Sequence, residues 1–258
     1  MKVKFLVALS MIISLFFVTS VSAQEFLTME GSSVSVTSEV GAWPQETVLD
    51  DVAFNAQSGL VTIEGTIFDL DVASGGWPDT AYLEIGVRPE ATKEETNAGV
   101  YMIVFASSQS GILAIHLQDY GGQRPPCPPW PAYIDTEKAK EGVRYKITLI
   151  PSSDFGGTAY LELWDADETY YEAPSLEYGY SDANTLDEDF STAHLFYSIM
   201  ADATGVPDIT YSATVGDITT NIPLWKLHVL SGNGVPCKGI KDAPGLQKPI
   251  PNSNFANK

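Results

Sequence analysis

The sequence predicts an all-β protein folded as an antiparallel β-sandwich or jelly roll. Short apolar or alternating segments recur along the 258 residues, and Gly, Pro, Asn, Asp and Ser bound them. This is the pattern of antiparallel strands. Segments with the period of a helix are scarce, so a chain of this length favours one large sandwich over two domains.

The elements follow from this pattern in chain order. The predicted strands are 33–38, 60–69, 81–88, 100–107, 112–118, 144–151, 159–165, 194–201 and 211–219. Residues 136–142 predict a single helical turn, with Thr136 as its cap and Glu137 in its first turn. Gly and Pro crowd the loops at 75–78, 121–131 and 232–251, the last of which predicts an extended tail.

The first 23 residues have the composition of a secretory signal peptide. They combine a basic start at Lys2 and Lys4, an apolar run over 5–18 and a small-residue exit at 21–23. The apolar run is shorter than the roughly 20 residues of a membrane span. The sequence therefore predicts a secreted protein, extracellular or periplasmic, with a signal peptide over 1–23 and a β-sandwich domain over 24–223.

The charge is strongly acidic and unevenly distributed. A formal net charge of −19 repels nucleic-acid phosphates and anionic membranes, so neither is an expected partner. Residues 224–258 form a basic, Pro/Gly-rich tail. It contains one acidic residue, Asp242, and five lysines: Lys226, Lys238, Lys241, Lys248 and Lys258. Such a tail is suited to self-association with the acidic body of a neighbouring copy.

The two cysteines, Cys127 and Cys237, lie in Pro-containing loops. Because an even number of cysteines in an exported chain favours pairing, we expect a disulfide between them. Its role would be structural. The alternative is two free thiols.

The order and the residue pattern of the central strands resemble those of a known fold family. Segments 82–87, 101–105, 112–117, 144–150 and 159–164, with the late pair Gly216-Asp217, resemble the central sheet of concanavalin A-like lectin and glucanase jelly rolls, including laminin G-like domains. The likeness covers residues 31–222 and includes no diagnostic motif. It implies a jelly roll that binds or cleaves a glycan, because the superfamily contains lectins, adhesins, glycosidases and lyases, and the fold does not choose between them.

Period-two alternation assigns the two faces of each predicted strand. Leu83, Ile85, Leu161 and Leu163 face the core. If the strands are neighbours, the opposite face gathers Tyr82, Glu84, His116, Gln118, Arg144, Lys146, Tyr160, Glu162 and Trp164. Aromatic rings stack on the apolar face of a sugar, while charged and amide groups bind its hydroxyls, so this set predicts a glycan site. The alternative is the ordinary solvated face of an antiparallel sheet.

Glu84 and Glu162 are the candidate catalytic pair of a glycoside hydrolase, since such enzymes use two carboxylates. The acidic pattern Glu-x-Asp-x-x-Glu of laminarinase-like members is missing from both strands. His116 has no matching Arg-rich strand, so the alginate-lyase pattern is missing too. The sequence therefore leaves catalysis open and favours binding.

An acidic loop predicts a calcium site. Asp182, Asn184, Asp187 and Asp189 present hard oxygen ligands at near-alternate positions, as Ca²⁺ prefers. The loop does not fit an EF-hand, and the alternative is a solvated acidic loop. No other cofactor is expected.

Two loop tryptophans, Trp77 and Trp130, either anchor a ligand or cover the end of the sandwich. The leading interpretation of the sequence is a secreted β-sandwich that binds an extracellular ligand, a glycan, without catalysis. The alternatives are a glycan-cleaving hydrolase or lyase and a structural or adhesive cell-surface subunit.

Overall fold

The computed structural model describes residues 24–90, 99–119, 131–152, 156–178, 190–201, 206–224 and 226–227. These residues form two antiparallel sheets packed face to face, which confirms the predicted β-sandwich. Within these ranges, no helix is long and apolar enough to cross a membrane.

Most of the described chain is β-strand. The strands are β1 (Phe26–Met29), β2 (Ser33–Thr37), β3 (Gln45–Phe54), β4 (Val61–Asp71), β5 (Ala81–Pro89), β6 (Val100–Ala106), β7 (Ile112–Asp119), β8 (Ala132–Asp135), β9 (Val143–Pro151), β10 (Gly157–Asp165), β11 (Tyr170–Tyr178), β12 (Ala193–Ala201), β13 (Thr210–Val215) and β14 (Ile218–Pro223). The helix α1 spans Thr136–Glu141.

The strands divide between two sheets. Sheet A has eight strands in the order β1-β14-β4-β9-β10-β11, with β13 paired to β4 and β2. Sheet B has six strands in the order β3-β12-β5-β6-β7-β8. The four strands whose outward residues were expected to share one face are therefore divided: β5 and β7 lie in sheet B, and β9 and β10 lie in sheet A.

One apolar core fills the space between the sheets. In β5 the inward residues Leu83, Ile85 and Val87 are fully buried, and in β10 Leu161 and Leu163 are buried to the same degree. The inward faces predicted for these strands are therefore correct. Burial of such side chains contributes about 1.5 to 3 kcal/mol each to folding.

Four strands, β1, β3, β8 and β11, were not predicted from the sequence. The predicted strand 211–219 is in fact β13 and β14, which follow one another along β4. Gly216 and Asp217 interrupt the ladder because the Gly216 N–H donates to Thr66 O at 2.8 Å and Asp217 Oδ1 accepts from the Gly31 N–H at 3.0 Å.

The predicted helical turn is present, but its cap is Asp135 and not Thr136. Asp135 has extended backbone, and its side chain accepts from the N–H groups of Glu137 and Lys138. Asp accepts such bonds well at a helix start, and Thr136 instead donates its hydroxyl to Gly111 O at 3.2 Å.

The first residues of the basic tail pack on the chain's own body. The Leu224 N–H donates to Glu25 O at 3.0 Å, and Leu227 is buried in the core. The tail beyond Leu227 lies outside the described residues, so its self-association stays a prediction.

A buried and an exposed aliphatic side chain on neighbouring strands test this packing. Leu161→Ala removes a side chain that is 1% exposed, and we expect a loss of about 2 to 5 kcal/mol in the free energy of unfolding. The control Ile150→Ala removes a side chain that is 42% exposed on the outer face and should cost less than about 1 kcal/mol. Urea unfolding measures both, and equal losses would contradict the face assignment.

Candidate functional site

The side chains predicted to share one face lie on opposite sides of the molecule. Tyr82, Glu84, His116 and Gln118 belong to β5 and β7, on the outer face of sheet B. Arg144, Lys146, Tyr160, Glu162 and Trp164 belong to β9 and β10, on the outer face of sheet A. The prediction of a single face is wrong, because alternation separates inward from outward residues but does not tell which sheet a strand joins.

This arrangement removes the predicted catalytic pair. Glu84 and Glu162 point away from the core on opposite sheets. Packed sheets are about 10 Å apart before either side chain is added, whereas the carboxyl groups of glycosidases lie about 5 to 9.5 Å apart. The two residues cannot flank one glycosidic bond.

On sheet A, the outward side chains form two cross-strand rows. One row places Lys146 between Glu64 of β4 and Glu162 of β10. The next row places Arg144 between Thr66 and Trp164. Opposite charges at such positions stabilise a sheet, and the Lys146 Nζ indeed lies 3.2 Å from Glu64 Oε1.

These rows form part of an open groove of about 580 Å³, which we call the sheet A groove. Its other side consists of Phe68 on β4 and of Gly216, Asp217 and Thr219 at the β13–β14 junction. A side chain at Gly216 would crowd this side, since its Cβ would lie 3.1 Å from Thr66 O. The volume falls in the range of about 300 to 1,000 Å³ that ligand sites occupy.

Trp164 is the largest aromatic group in the sheet A groove. The Arg144 guanidinium carbon lies 4.1 Å from the centre of its ring system, and the Tyr170 ring lies at 5.6 Å with a tilt of 52°. Arg144 is held in turn by Glu168, whose Oε2 accepts from its Nη2 at 2.6 Å. The indole is therefore fixed in position while part of its surface faces the groove.

The outer face of sheet B is organised around Gly86. Tyr101 of β6 and Phe196 of β12 are the cross-strand neighbours of Gly86 on its two sides. A Cβ at Gly86 would clash with the backbone oxygen of Val100 and lie 2.6 Å from Tyr101 Cα, so β6 leaves no room for a side chain there. Because this space is empty, the two rings meet edge to face across Gly86, with centres 5.9 Å apart.

Two charged side chains join these rings in what we call the buried cluster: Glu84, Arg88, Tyr101 and Phe196. The Arg88 guanidinium carbon lies 4.1 Å from the centre of the Phe196 ring. Glu84 is 2% exposed, and among the described residues its Oε2 has no hydrogen-bond partner. Desolvation by burial raises the pKa of Glu84 to about 7, although the charge of Arg88 opposes this shift.

Partly exposed side chains border the buried cluster. Gln118 lies opposite Tyr101 and His116 lies opposite Ile103, while the Tyr82 and Phe105 rings are in contact at 5.8 Å. His116 Nδ1 lies 2.7 Å from Leu117 O. Since a carbonyl only accepts, Nδ1 is the donor in this contact.

Trp77 lies apart from both faces, in the loop between β4 and β5, and is well exposed. Three sets of predicted residues lie outside the described ranges and stay predictions: Trp130, the expected calcium ligands Asp182, Asn184, Asp187 and Asp189, and the cysteines Cys127 and Cys237. Within the described ranges, no group of three His, Cys, Asp or Glu residues is placed to hold a metal ion.

Glu64, Arg88 and Tyr101 were not among the site residues predicted from the sequence. The alternation in β4 could have placed Glu64 on the outward face. Arg88 follows Glu84 by four residues and therefore shares its face of the strand. Gly86, between them on the same face, was the signal for a close contact there. Tyr101 gave no signal, because both faces of β6 are apolar or aromatic and alternation cannot separate them.

No protein-family model matches the sequence, and no curated protein matches it. Among solved structures, the chain resembles an endo-1,3-beta-glucanase from Streptomyces sioyaensis at a TM-score of 0.43 and 10% identity, over 73% of this chain and 74% of that chain. It resembles alginate lyase PA1167 from Pseudomonas aeruginosa at a TM-score of 0.39 and 12% identity, over 69% and 74%. It resembles lectin I-B4 from Griffonia simplicifolia at a TM-score of 0.38 and 11% identity, over 79% and 95%.

By their names, these solved structures are a glucanase, an alginate lyase and a lectin. At identities of 10 to 12% and TM-scores below 0.5, the likeness does not show what this chain binds or catalyses.

Glu84→Gln tests the buried cluster through stability. The pKa of Glu84 is raised from 4.5 to about 7, so the native state holds this proton more tightly than the unfolded state. The wild type should therefore lose stability as the pH rises from about 4.5 to 7, on the order of 3 kcal/mol, and change little above that. The amide cannot ionise, so Glu84→Gln should lose less stability over that pH range.

Urea unfolding between pH 4 and 8 measures this difference. The control Glu177→Gln changes an exposed glutamate of β11 and should follow the wild type. If the difference between wild type and Glu84→Gln does not grow as the pH rises, Glu84 is not buried as the structure has it.

Proposed function

We propose that the protein is a secreted β-sandwich that binds a glycan in the sheet A groove without cleaving it. The observation that carries this proposal is the groove itself, in which Trp164 and Phe68 stand with Arg144, Lys146, Glu64, Glu162 and Asp217. Aromatic surface suits the C–H face of a sugar ring, and the charged groups suit its hydroxyls. Secretion is supported by the composition of residues 1–23.

The balance of charge supports a neutral glycan. The groove mixes cations and carboxylates, and the chain as a whole carries a net charge of −19. A polyanionic chain would be repelled by this surface before it reached Arg144 or Lys146. A neutral hydroxyl suits both kinds of group, because it accepts hydrogen bonds from Arg and Lys and donates them to carboxylates.

The pairing of the charges supports binding over cleavage at this groove. Lys146 lies between Glu64 and Glu162 in the cross-strand row and is ion-paired with Glu64 at 3.2 Å. These carboxylates are thus placed as cross-strand charge partners of Lys146, a role that stabilises the sheet and involves no proton transfer.

Trp164→Ala tests the proposal. Removing the indole should weaken glycan binding by about tenfold or more, because it deletes a stacking surface of the groove but no core side chain. A glycan array with the mature protein identifies the ligand, and calorimetric titration with that ligand gives the affinity.

The matched control is Tyr133→Ala, which removes an exposed ring from β8 of sheet B. It should bind as the wild type does. If Trp164→Ala keeps full affinity, or if Tyr133→Ala loses as much, the ligand does not lie in the sheet A groove.

A second candidate function is glycan cleavage on the outer face of sheet B, as in the alternative left open by the sequence. One observation favours it: with a pKa of about 7, Glu84 retains a proton near neutral pH, as a general acid must.

Turnover separates the two candidates. If the protein cleaves the array-identified glycan, Glu84→Gln should abolish cleavage while binding survives, since the amide keeps the shape but carries no transferable proton. Glu172→Gln, at an exposed position of β11, is the control and should leave turnover unchanged. Absence of any product from the wild type, by reducing-sugar and unsaturated-product assays, would leave binding as the function.

A further inference from the structure

A second concave region lies at one end of sheet B, away from the sheet A groove. Two loops enclose it: residues 72–80 between β4 and β5, and residues 107–111 between β6 and β7. Its volume is about 280 Å³, and its lining includes Trp77, Ser107, Ser108, Gln109, Ser110 and Gly111. None of its lining residues lines the sheet A groove. We call it the loop pocket.

A buried threonine holds the two walls of the loop pocket together. The Thr80 hydroxyl donates to Val72 O at 2.5 Å and accepts from the Ala106 N–H at 3.2 Å. It therefore joins the loop that carries Trp77 to the end of β6, where the second loop begins. Because Thr80 is fully buried, these bonds are protected from water.

Local hydrogen bonds also fix each wall. In the first, the Gly76 N–H donates to Ala73 O at 2.9 Å, and Gly76 has a φ of +72°, which favours glycine. In the second, Ser107 and Ile112 pair through Ser107 N–H to Ile112 O at 2.9 Å, and Gly111 O accepts from the Thr136 N–H at 3.0 Å. The pocket is thus formed by turns with defined geometry.

Trp77 does not serve as a cover for the core. Its side chain is 57% exposed, whereas an aromatic group that closes the end of a sandwich loses most of its accessible surface to the core. The ring is instead presented beside the exposed residues Ser108, Gln109 and Ser110. This distinguishes the two interpretations of Trp77 left open by the sequence.

We propose that the loop pocket is a second glycan-binding site, which holds one neutral sugar ring against Trp77. The indole provides the stacking surface, and the Ser and Gln side chains provide donors and acceptors for hydroxyls. No lining residue is charged, so nothing in the pocket would compensate the desolvation of a uronate or sulfate group. The volume, just below the usual range for drug-sized ligands, fits a single ring.

The consequence of two sites is binding of more than one part of a glycan or of a glycan-covered surface. Linked weak sites raise the overall avidity when the geometry allows both to engage. This proposal does not rest on the sheet A groove, because the two sites share no residue and different variants test them.

The test uses single-ring probes and ligand-observed NMR. Methyl glycosides of glucose, galactose and mannose are added at millimolar concentration to the wild-type protein, and their glucuronide and galacturonide counterparts serve as charged probes. At least one neutral probe should show saturation transfer and the charged probes should not. The transfer is then compared in the Trp164→Ala background, which lacks the stacking ring of the sheet A groove. There it should persist, and adding Trp77→Ala should reduce it by roughly tenfold.

Two further variants keep the result interpretable. Trp43→Ala removes a tryptophan that is 55% exposed and lines neither site, so it should bind as the wild type does. Gln109→Ala alters only the second wall and should weaken binding even if Trp77→Ala perturbs its own loop. In the Trp164→Ala background, transfer that survives both Trp77→Ala and Gln109→Ala, a preference for the charged probes, or no transfer to any neutral probe would overturn the proposal.

Discussion

The packing of two sheets on a single apolar core decides where every candidate side chain lies. The near-identical segments 80–85 and 158–163 each direct a leucine, Leu83 or Leu161, into this core and a glutamate outward. Since β5 and β10 belong to different sheets, the glutamates end on opposite sides of the molecule. Their neighbours then make them chemically different, because Glu84 lies between Ile103 and Ser198 whereas Glu162 lies beside Lys146.

The two outer faces differ in how they satisfy their charges. On sheet B, the missing side chain at Gly86 lets Tyr101 and Phe196 meet, and the rings bury Arg88 and Glu84 with them. Burial of a carboxylate is costly, and this cost appears in the raised pKa of Glu84. On sheet A, charges pair across strands near the solvent and border an open groove. Accessible polar groups and a fixed indole suit ligand binding, whereas the buried carboxyl suits proton transfer.

Alternation in the sequence predicted the inward residues of β5 and β10, because side chains point to alternate faces of any strand. It could not predict the sheet to which each strand belongs, which depends on pairings between distant segments such as β12 with β3 and β5. Strands without clean alternation, such as β3 and β11, were missed for a different reason. The alternation signal requires one face of the strand to be buried and the other to be exposed. The loop pocket lay beyond sequence reasoning, since it depends on how Thr80 joins two separate loops.

The central claim is that a glycan binds on the outer face of sheet A, and mapping the bound ligand tests it most directly. Backbone amide chemical shifts, recorded while the array-identified glycan is titrated into isotope-labelled mature protein, locate the contact. The account predicts that the largest changes fall on the groove-lining parts of β4, β9 and β10, including Glu64, Lys146 and Trp164. Changes confined to β5, β6 and β7 would contradict it and would place the ligand on sheet B.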